Sequence, residues 1–489
     1  MDEHLGTART TLPRAVLPVF AVTLLISAGL LFLIQPMIAK MVLPQFGGSP
    51  AVWSTCLLFF QATLLLGYAY AHALTRLAAR EVQIIIHLAL LLPLACWWLP
   101  LDISVNLAPH SSWPAPWLLV RLTLSAGAVV FAISATAPLL QSWFSDLDHE
   151  YAGDPYFLYA SSNAGSLLAL LSYPFLVEPT LPLHQQAALW SWGFVILVAG
   201  IMLSGGVVLF SSRTAKLIAP QWAAPPSWRE RLKWIVLAFV PSSLLLGVTS
   251  YITTDVASAP LFWVIPLAIY LLTFILVFAR HPPLRHATIV RLMPFVLIPL
   301  VITMVPGLQL PLSLVLILHL GCLFIVAMVC HGELARRKPP HGHLTSFYLM
   351  ISIGGALGGV LVGLVGPHFF TGYFELPIAM VWCAGIVVMA VRPGPSGIDN
   401  RLFARIVWTG AMAGTVTLIA SLGHELHQFR TGSRLLVRNF YGALRVNDEG
   451  DGQFYLPFRR LGVCTMIALA QIEGRKDSEN FLSNSEQRR

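Results

Sequence analysis

Charged side chains are scarce in this chain of 489 residues. Asp, Glu, Lys and Arg together make up 11% of it, hydrophobic residues make up 56%, and the mean hydropathy is +0.74. A soluble domain carries about 25% charged residues, because even a large soluble protein needs a polar surface in contact with water. The shortage therefore excludes a soluble globular protein and indicates an integral membrane protein.

Motifs of soluble catalysts and metal sites are also missing. The sequence contains no Walker loop, no GxSxG, no HExxH and no CxxC. Five of its six cysteines lie in apolar stretches, where a free thiol behaves as a small hydrophobe, so we expect neither a disulfide framework nor a zinc site. No basic patch with interleaved aromatic residues points to nucleic acid. We expect no metal, no cofactor, no nucleic-acid partner and no catalytic residue.

Long apolar stretches are what the sequence has in abundance. Thirteen of them lack Asp, Glu, Lys and Arg, and most approach the roughly 20 residues that a helix needs to cross a bilayer. Backbone amides in lipid must be bonded internally, so the stretches predict helices rather than strands. The predicted fold class is an all-α membrane protein with 12–13 transmembrane helices. The stretches are residues 15–38, 52–73, 82–101, 122–144, 156–177, 187–210, 234–254, 257–279, 292–308, 311–330, 345–370, 376–391 and 406–422.

Basic residues concentrate in every second loop. Lys and Arg accumulate on the cytoplasmic side of short loops, and here the N-terminus and the even-numbered loops carry most of them, apart from an acidic fourth loop. We therefore predict a cytoplasmic N-terminus and a multi-pass protein of the inner (plasma) membrane. The first stretch has no small-residue cleavage site and predicts a retained helix. The predicted division is a cytoplasmic segment 1–14, a first transmembrane half 15–211, a basic loop 212–233, a second transmembrane half 234–422 and a tail 423–489.

Two of the apolar stretches echo each other. Residues 159–168 read YASSNAGSLL and residues 348–357 read YLMISIGGAL, so that Tyr, a small polar residue, Gly and Leu align at one constant offset. The offset is close to half of the membrane region. Repeated halves with a binding site between them are the usual plan of secondary transporters. Gly and Ser at this spacing also permit close helix packing without transport, and the sequence leaves both interpretations open.

Polar groups at membrane depth are costly and are therefore candidates for function. His331 and Glu333, at the inner end of the tenth stretch, suggest either a hydrogen-bonded pair that relays protons or an ordinary loop ion pair. Asp255 is either a functional carboxylate or the N-cap of the eighth helix. For the candidates in the two echo segments the alternative is helix packing. The predicted substrate-binding residues are Tyr159, Ser162, Asn163, Tyr348, Ser352, His331, Glu333 and Asp255.

Several ordered strings resemble one protein family. They are residues 33–43 (LIQPMIAKMVL), 47–53 (GGSPAVW), 154–167 (DPYFLYASSNAGSL), 254–266 (TDVASAPLFWVIP) and 330–335 (CHGELA). Over residues 15 to about 422 the chain is similar to bacterial membrane proteins in which a multi-helix, major-facilitator-like region is fused to a spermidine synthase-like domain. The resemblance implies a polyamine as the solute and, for the fused domain, aminopropyltransferase activity.

The tail departs from that family. Residues 439–446 resemble the first strand of the synthase domain, with 447–450 as its turn and 453–458 as the returning strand of a short β-hairpin. The family's Gly-rich nucleotide loop, catalytic acid and amine pocket have no counterpart, and DEGDG at 448–452 lies too early to be that loop. We expect a synthase domain that is truncated, frame-shifted or lost, followed by a polar, disordered end at 473–489.

Three functions follow from these patterns, in decreasing order of preference. The first is an integral inner-membrane protein that transports or binds a small solute and lacks the catalytic synthase domain. The second is a membrane scaffold for a synthase encoded on a separate chain. The third is a membrane-anchored spermidine synthase, which the missing domain disfavours. We therefore expect a chain that is not itself an enzyme, with the lipid bilayer, a small solute and a separate synthase chain as its partners.

Overall fold

The structure is a computed structural model that describes most of the membrane region and part of the tail. The described residues are 15–46, 50–97, 99–100, 114–211, 225–252, 263–303, 310–366 and 375–390, short helical pieces between 405 and 424, and 435–439 and 442–446.

Long helices build the first half of the described chain. They are α1 (Val16–Phe46), α2 (Pro50–Leu77), α3 (Arg80–Trp97) and α8 (Leu183–Ser211), together with two continuous pairs. In the first pair, α4 (Pro114–Leu122) continues through a π-helical turn (Thr123–Gly127) into α5 (Ala128–Ser145). In the second pair, α6 (Phe157–Ser172) continues through a π-helical turn (Tyr173–Val177) into α7 (Glu178–Thr180). When each continuous pair is taken as one crossing, these helices form six crossings.

The second half repeats this number within the described residues. Its helices are α9 (Trp228–Tyr251), α10 (Val264–Phe278), α11 (His286–Thr303), α12 (Leu312–Arg336), α13 (Leu344–Val360), which a 3₁₀ turn (His341–His343) precedes and a π-helical turn (Leu361–Val365) follows, and α14 (Glu375–Ala390).

The helices have the length and the surface of membrane spans. Eight helical segments of the described chain are long and apolar enough to cross a bilayer, and α10 and residues 376–385 of α14 are shorter apolar helices. Large apolar side chains such as Leu66, Phe175 and Phe210 point outward, with at least 60% of their surface exposed. A protein surrounded by water rarely shows so much apolar surface. The prediction of an all-α, multi-pass membrane protein is confirmed.

Each half has its own apolar core, arranged around its first helix. One cluster of buried side chains runs from Val16 to Val208, and a second runs from Val240 to Ala384. In the first half α1 packs against α5, α6 and α8, and in the second half α9 packs against α12, α13 and α14. In the first half, α2 and α3 both contact α5. In the second half, α10 and α11 contact α12 in the same way.

The two halves meet mainly through two pairs of helices, α2 with α13 and α6 with α10. If α2 of the first half corresponds to α10 of the second, and α6 to α13, then exchanging the two halves converts one helix pair into the other. The π-helical turns that follow α6 and α13 lie at matching positions as well. The structure therefore supports the duplication that the sequence echo predicts, with both halves built on one packing plan.

The glycines of the echo mark one packing contact in both halves. A Cβ on Gly165 of α6 would overlap the carbonyl oxygen of Leu25 on α1, and a Cβ on Gly354 of α13 would overlap that of Ile235 on α9. Only glycine lets two helix backbones approach so closely. Helix packing, the alternative given for the echo, thus accounts for its glycines, and it occurs together with the duplication rather than in place of it.

The boundary between the halves differs from the predicted loop 212–233. Helix α9 already begins at Trp228, so residues 228–233 of that loop are helical. The cause is an N-cap, in which the side chain of Ser227 accepts a hydrogen bond from the backbone N–H of Glu230 at 3.3 Å. The basic residues Arg229, Arg231 and Lys233 consequently lie on the first turns of α9.

The tail contains a hairpin whose strands differ from the predicted ones. Strand β1 (Leu435–Asn439) pairs antiparallel with β2 (Gly442–Val446), from Leu435 opposite Val446 to Asn439 opposite Gly442. The single strand expected over 439–446 is therefore divided between two strands, with Asn439 at the end of the first and Gly442 at the start of the second. The predicted turn 447–450 and returning strand 453–458 lie outside the described residues.

Candidate functional site

An aromatic cluster fills the space where the two halves meet. Tyr159 of α6 stacks on Tyr348 of α13, with ring centroids 4.9 Å apart and planes 29° apart. These are the two tyrosines of the sequence echo, one from each half. We call the group the interface cluster; its members are Tyr68, Tyr156, Tyr159, Tyr270, Phe274, Phe278, His331, Phe347 and Tyr348.

Hydrogen bonds fix two of the tyrosine hydroxyls in the interface cluster. Tyr348, which is 1% exposed, donates to Oε1 of Gln141 on α5 at 2.6 Å. Tyr156 donates to the carbonyl oxygen of Pro339 at 2.8 Å. Both bonds join one half to the other, and both satisfy polar atoms that would be costly to bury alone.

His331 enters the interface cluster from α12. Its Nδ1 lies 2.8 Å from the hydroxyl of Thr273, and its ring stacks on Phe274 with a centroid distance of 3.6 Å. Tyr270 meets the same ring edge-on at 5.0 Å. The Nε2 atom is buried without a hydrogen-bond partner. A buried polar atom without a partner is rare in proteins and marks a place where a ligand atom or water can bind.

The smaller polar residues of the echo lie one helical turn further along α6 and α13. The side-chain amide of Asn163 donates to the carbonyl oxygen of Tyr159 at 2.8 Å. Ser162 is buried, and the buried hydroxyl of Ser352 has no hydrogen-bond partner. The structure therefore places five predicted residues, Tyr159, Ser162, Asn163, Tyr348 and Ser352, on the two helices that supply the stacked tyrosines.

Glu333 lies outside the interface cluster. It bonds to Arg337 at 2.7 Å and lies 3.5 Å from Nε2 of His286, while Arg337 also reaches Glu230 at 3.3 Å. Burial lowers the pKa of Arg337, but its bonds to Glu333 and Glu230 outweigh this and raise that pKa above its ordinary value, so the guanidinium stays charged. Glu333 thus belongs to a group of ion pairs at the end of α12, and His331 and Glu333 have different partners. Asp255 lies outside the described residues.

Further contacts close the two halves against each other at the end that carries the basic loops, which we call the basic face. Lys338 bonds to Asp154 at 2.6 Å and lies over the ring of Tyr156. Thr345 on α13 lies 3.0 Å from Nδ1 of His72 on α2. The interface cluster is therefore covered on the side of the basic face.

Sequence reasoning missed several polar groups of the interface cluster and its surroundings. Gln141 and Thr273 each lie in an apolar stretch, and a side-chain amide at membrane depth is a signal that could have found Gln141. Tyr68, Tyr156 and Tyr270 carry no comparable signal, because single tyrosines are common in membrane helices.

Comparisons with known proteins give a limited result. No protein-family model matches the chain, and no curated protein matches it. Among solved structures it is similar to the proton:xylose symporter XylE, a major facilitator superfamily protein bound to 6-bromo-6-deoxy-D-glucose, with 13% identity over 82% of this chain and 94% of that one and a TM-score of 0.45. It is similar to a human organic anion transporter, with 15% identity, coverage of 84% and 98%, and a TM-score of 0.43. It is also similar to the Escherichia coli fucose:proton symporter FucP, with 15% identity, coverage of 82% and 99%, and a TM-score of 0.42.

Proposed function

We propose that this protein carries a small solute across the membrane by alternating access, with the solute bound at the interface cluster. The observation that carries the proposal is the stacking of Tyr159 on Tyr348 at 4.9 Å, because these residues occupy equivalent positions in the two halves. In transporters with repeated halves the substrate binds at the interface between them, and the halves rock around that site.

The contacts at the basic face support a conformation that is closed on that side. The pair of Lys338 with Asp154 and the bond from Tyr156 to Pro339 both connect the halves there. Rocking would have to break these contacts to open a path toward the basic face. We further propose that this face is cytoplasmic and that the chain lies in the inner membrane, as the distribution of Lys and Arg predicts.

The chemistry of the interface cluster favours a solute with an apolar or planar face and a few hydrogen-bonding groups. The described cluster offers tyrosine rings, hydroxyls and one imidazole, with the amide of Gln141 beside it, and none of its members is a carboxylate. A polyamine, which the family resemblance implies, would have to bind through cation–π contacts with the tyrosine rings. It is one class in the solute panel below.

Transport by the purified protein in liposomes tests the proposal. The panel comprises polyamines, neutral sugars, aromatic metabolites and organic anions, and uptake of at least one class is expected. Tyr348→Phe, which removes the hydroxyl that bonds to Gln141, should weaken the uptake or binding of that solute about tenfold, the effect of roughly 1.4 kcal/mol.

A matched control separates transport from stability. Tyr173 is also buried, and its hydroxyl donates to Oε1 of Gln186 at 3.1 Å, a contact within the first half. Tyr173→Phe therefore removes the same kind of hydrogen bond, and each variant should lose about 1–3 kcal/mol of stability. Equal uptake by both variants, or no uptake of any solute by the wild type, would argue against a binding site at the interface cluster.

A second proposal concerns a separate synthase chain. The hairpin of β1 and β2 overlaps the region that resembles the start of a synthase domain, and we propose that it docks such a chain. Co-purification of a soluble aminopropyltransferase with the full chain, and its loss when residues 435–446 are deleted, would support this role. An unchanged set of co-purified proteins after the deletion would count against it.

A further inference from the structure

A cleft opens at the basic face between the two halves. Its volume is about 600 Å³, and three segments line it: residues 150–157 before and into α6, residues 277–289 from the end of α10 into α11, and residues 328–338 at the end of α12. The cleft is distinct from the interface cluster, with which it shares only Tyr156 and Phe278.

Positive charge predominates among the groups that line this cleft. Lys338 is neutralised by Asp154, and His286 lies beside Glu333. The other basic groups are Arg280, Arg285 and Arg336. In the described part of the chain no carboxylate lies within ion-pair distance of any of them, and Arg336 acts on Glu333 only through its charge at longer range. Besides Asp154, the only carboxylate among the described residues that line the cleft is that of Glu150, which is exposed.

One of the arginines is held in place by an aromatic side chain. The guanidinium of Arg280 lies over the ring of Tyr151, 3.9 Å from its centroid, so a residue of the second half rests on a residue of the first. This contact orients the arginine without neutralising it. Its donors remain available to a ligand in the cleft.

Apolar side chains also line the cleft. They include Val277, Leu284, Ile289 and Met328. A cleft lined by exposed arginines and by apolar side chains suits a molecule that joins a strongly anionic group to a less polar one. Arginine binds phosphate oxygens through two parallel hydrogen bonds, and basic pockets between membrane helices on the cytoplasmic side bind anionic lipid head groups.

We propose that this cleft is a binding site for a phosphate group, supplied by an anionic lipid or by a soluble phosphate compound, and that Arg280, Arg285 and Arg336 bind it. The site is independent of the proposed transport function, because binding can be measured without any transported solute. A phosphate bound there would contact residues of both halves, so it would stabilise the conformation that is closed at the basic face.

Thermal stability of the full chain in lipid nanodiscs tests the site. One arm compares phosphatidylcholine alone with phosphatidylcholine containing phosphatidylglycerol, and the other adds pyrophosphate to the phosphatidylcholine sample. We expect a higher unfolding temperature in at least one arm. The double variant Arg285→Gln with Arg336→Gln should shift the half-saturating concentration of the effective anion at least tenfold upward.

A matched control is the double variant Arg229→Gln with Arg291→Gln. It removes the same charge near the same face from two exposed arginines that do not line the cleft, so the response to the anion should be that of the wild type. A response to phosphatidylglycerol alone identifies a lipid site, and a response to pyrophosphate identifies a site open to soluble anions. No response in either arm, or an equal loss in both double variants, overturns the proposal.

Discussion

Two neighbouring glycines on α13 have opposite surroundings. A Cβ on Gly354 would overlap the carbonyl oxygen of Ile235 and lie 2.8 Å from Cβ of Ala238. A Cβ on Gly355 would meet nothing within 4 Å. The sequence echo aligns Gly354 with Gly165, and the structure assigns the packing role to Gly354 and not to Gly355.

Gly354→Ala should therefore destabilise the protein by about 1–3 kcal/mol, the usual cost of forcing an extra carbon into a packed contact. The measurement is the fraction of protein that stays monodisperse after heating in detergent. Gly355→Ala is the control. It should be neutral or stabilise the protein by up to about 1 kcal/mol, because alanine favours the helix more than glycine does. Equal stability of the two variants would contradict the close approach of α9 and α13.

His331 shows how far sequence reasoning reaches at the scale of single residues. A histidine in an apolar stretch is recognisable as a candidate from its type alone. Its partner Thr273 is 58 residues earlier in the chain, on a different helix. Which helices touch, and in which rotation, depends on packing between elements, and a uniformly apolar stretch says little about that. The same holds for the bond between Tyr348 and Gln141.

At the scale of elements, the basic face is closed by contacts of unequal strength. The pair of Asp154 with Lys338 is exposed, with 62% of the Asp154 side chain in contact with solvent. Exposed ion pairs contribute about 0–1 kcal/mol. The hydroxyl of Tyr156 is buried, and removing it would leave the carbonyl of Pro339 without that donor, at a cost of about 1–3 kcal/mol. The hydrogen bond from Tyr156 therefore holds the two halves together more strongly than the ion pair of Asp154 with Lys338 does.

Tyr156→Phe should consequently open the basic face more than Asp154→Asn does. Spin labels on two exposed positions, at Gly153→Cys and His341→Cys, report the distance between the halves by pulsed EPR. We expect a longer or broader distance distribution for Tyr156→Phe and a nearly unchanged one for Asp154→Asn. The reverse order would show that the ion pair controls closure.

The echo between α6 and α13 is where sequence reasoning about elements succeeded. It predicted related segments from Tyr159, Gly165, Tyr348 and Gly354, and the structure gives these residues equivalent contacts. The start of α9 differs from the prediction, because the basic run indicates a loop although Ser227 caps the helix. At this boundary the cap, and not the charge of the run, sets where the helix begins.

At the scale of the whole molecule, the orientation in the membrane follows from the charge distribution and stays a prediction. Cys96 is the exposed cysteine of the described chain and lies at the end of α3, away from the basic face. A cytoplasmic N-terminus places this end outside. In a variant with Cys464→Ser, a membrane-impermeant maleimide should label Cys96 in cells with an intact inner membrane.

The control for this experiment is a residue at the end of α2, on the basic face and therefore on the other side of the membrane from Cys96. Leu77 is 86% exposed, and Leu77→Cys in a background without Cys96 and Cys464 should react only after the membrane is permeabilised. Labelling of Leu77→Cys in intact cells, with protection of Cys96, would invert the predicted topology.

Each half has six crossings among the described residues, and this even number has a consequence for the origin of the fold. A unit of six helices begins and ends on the same side of the membrane, so two copies of it can stand side by side without either being turned over. A shorter ancestral gene could thus have encoded a subunit that paired with itself in parallel, with one tyrosine from each copy meeting at the dyad. Fusion of two such genes would have required only a connecting segment between one copy and the next, after which each tyrosine could diverge in its own surroundings.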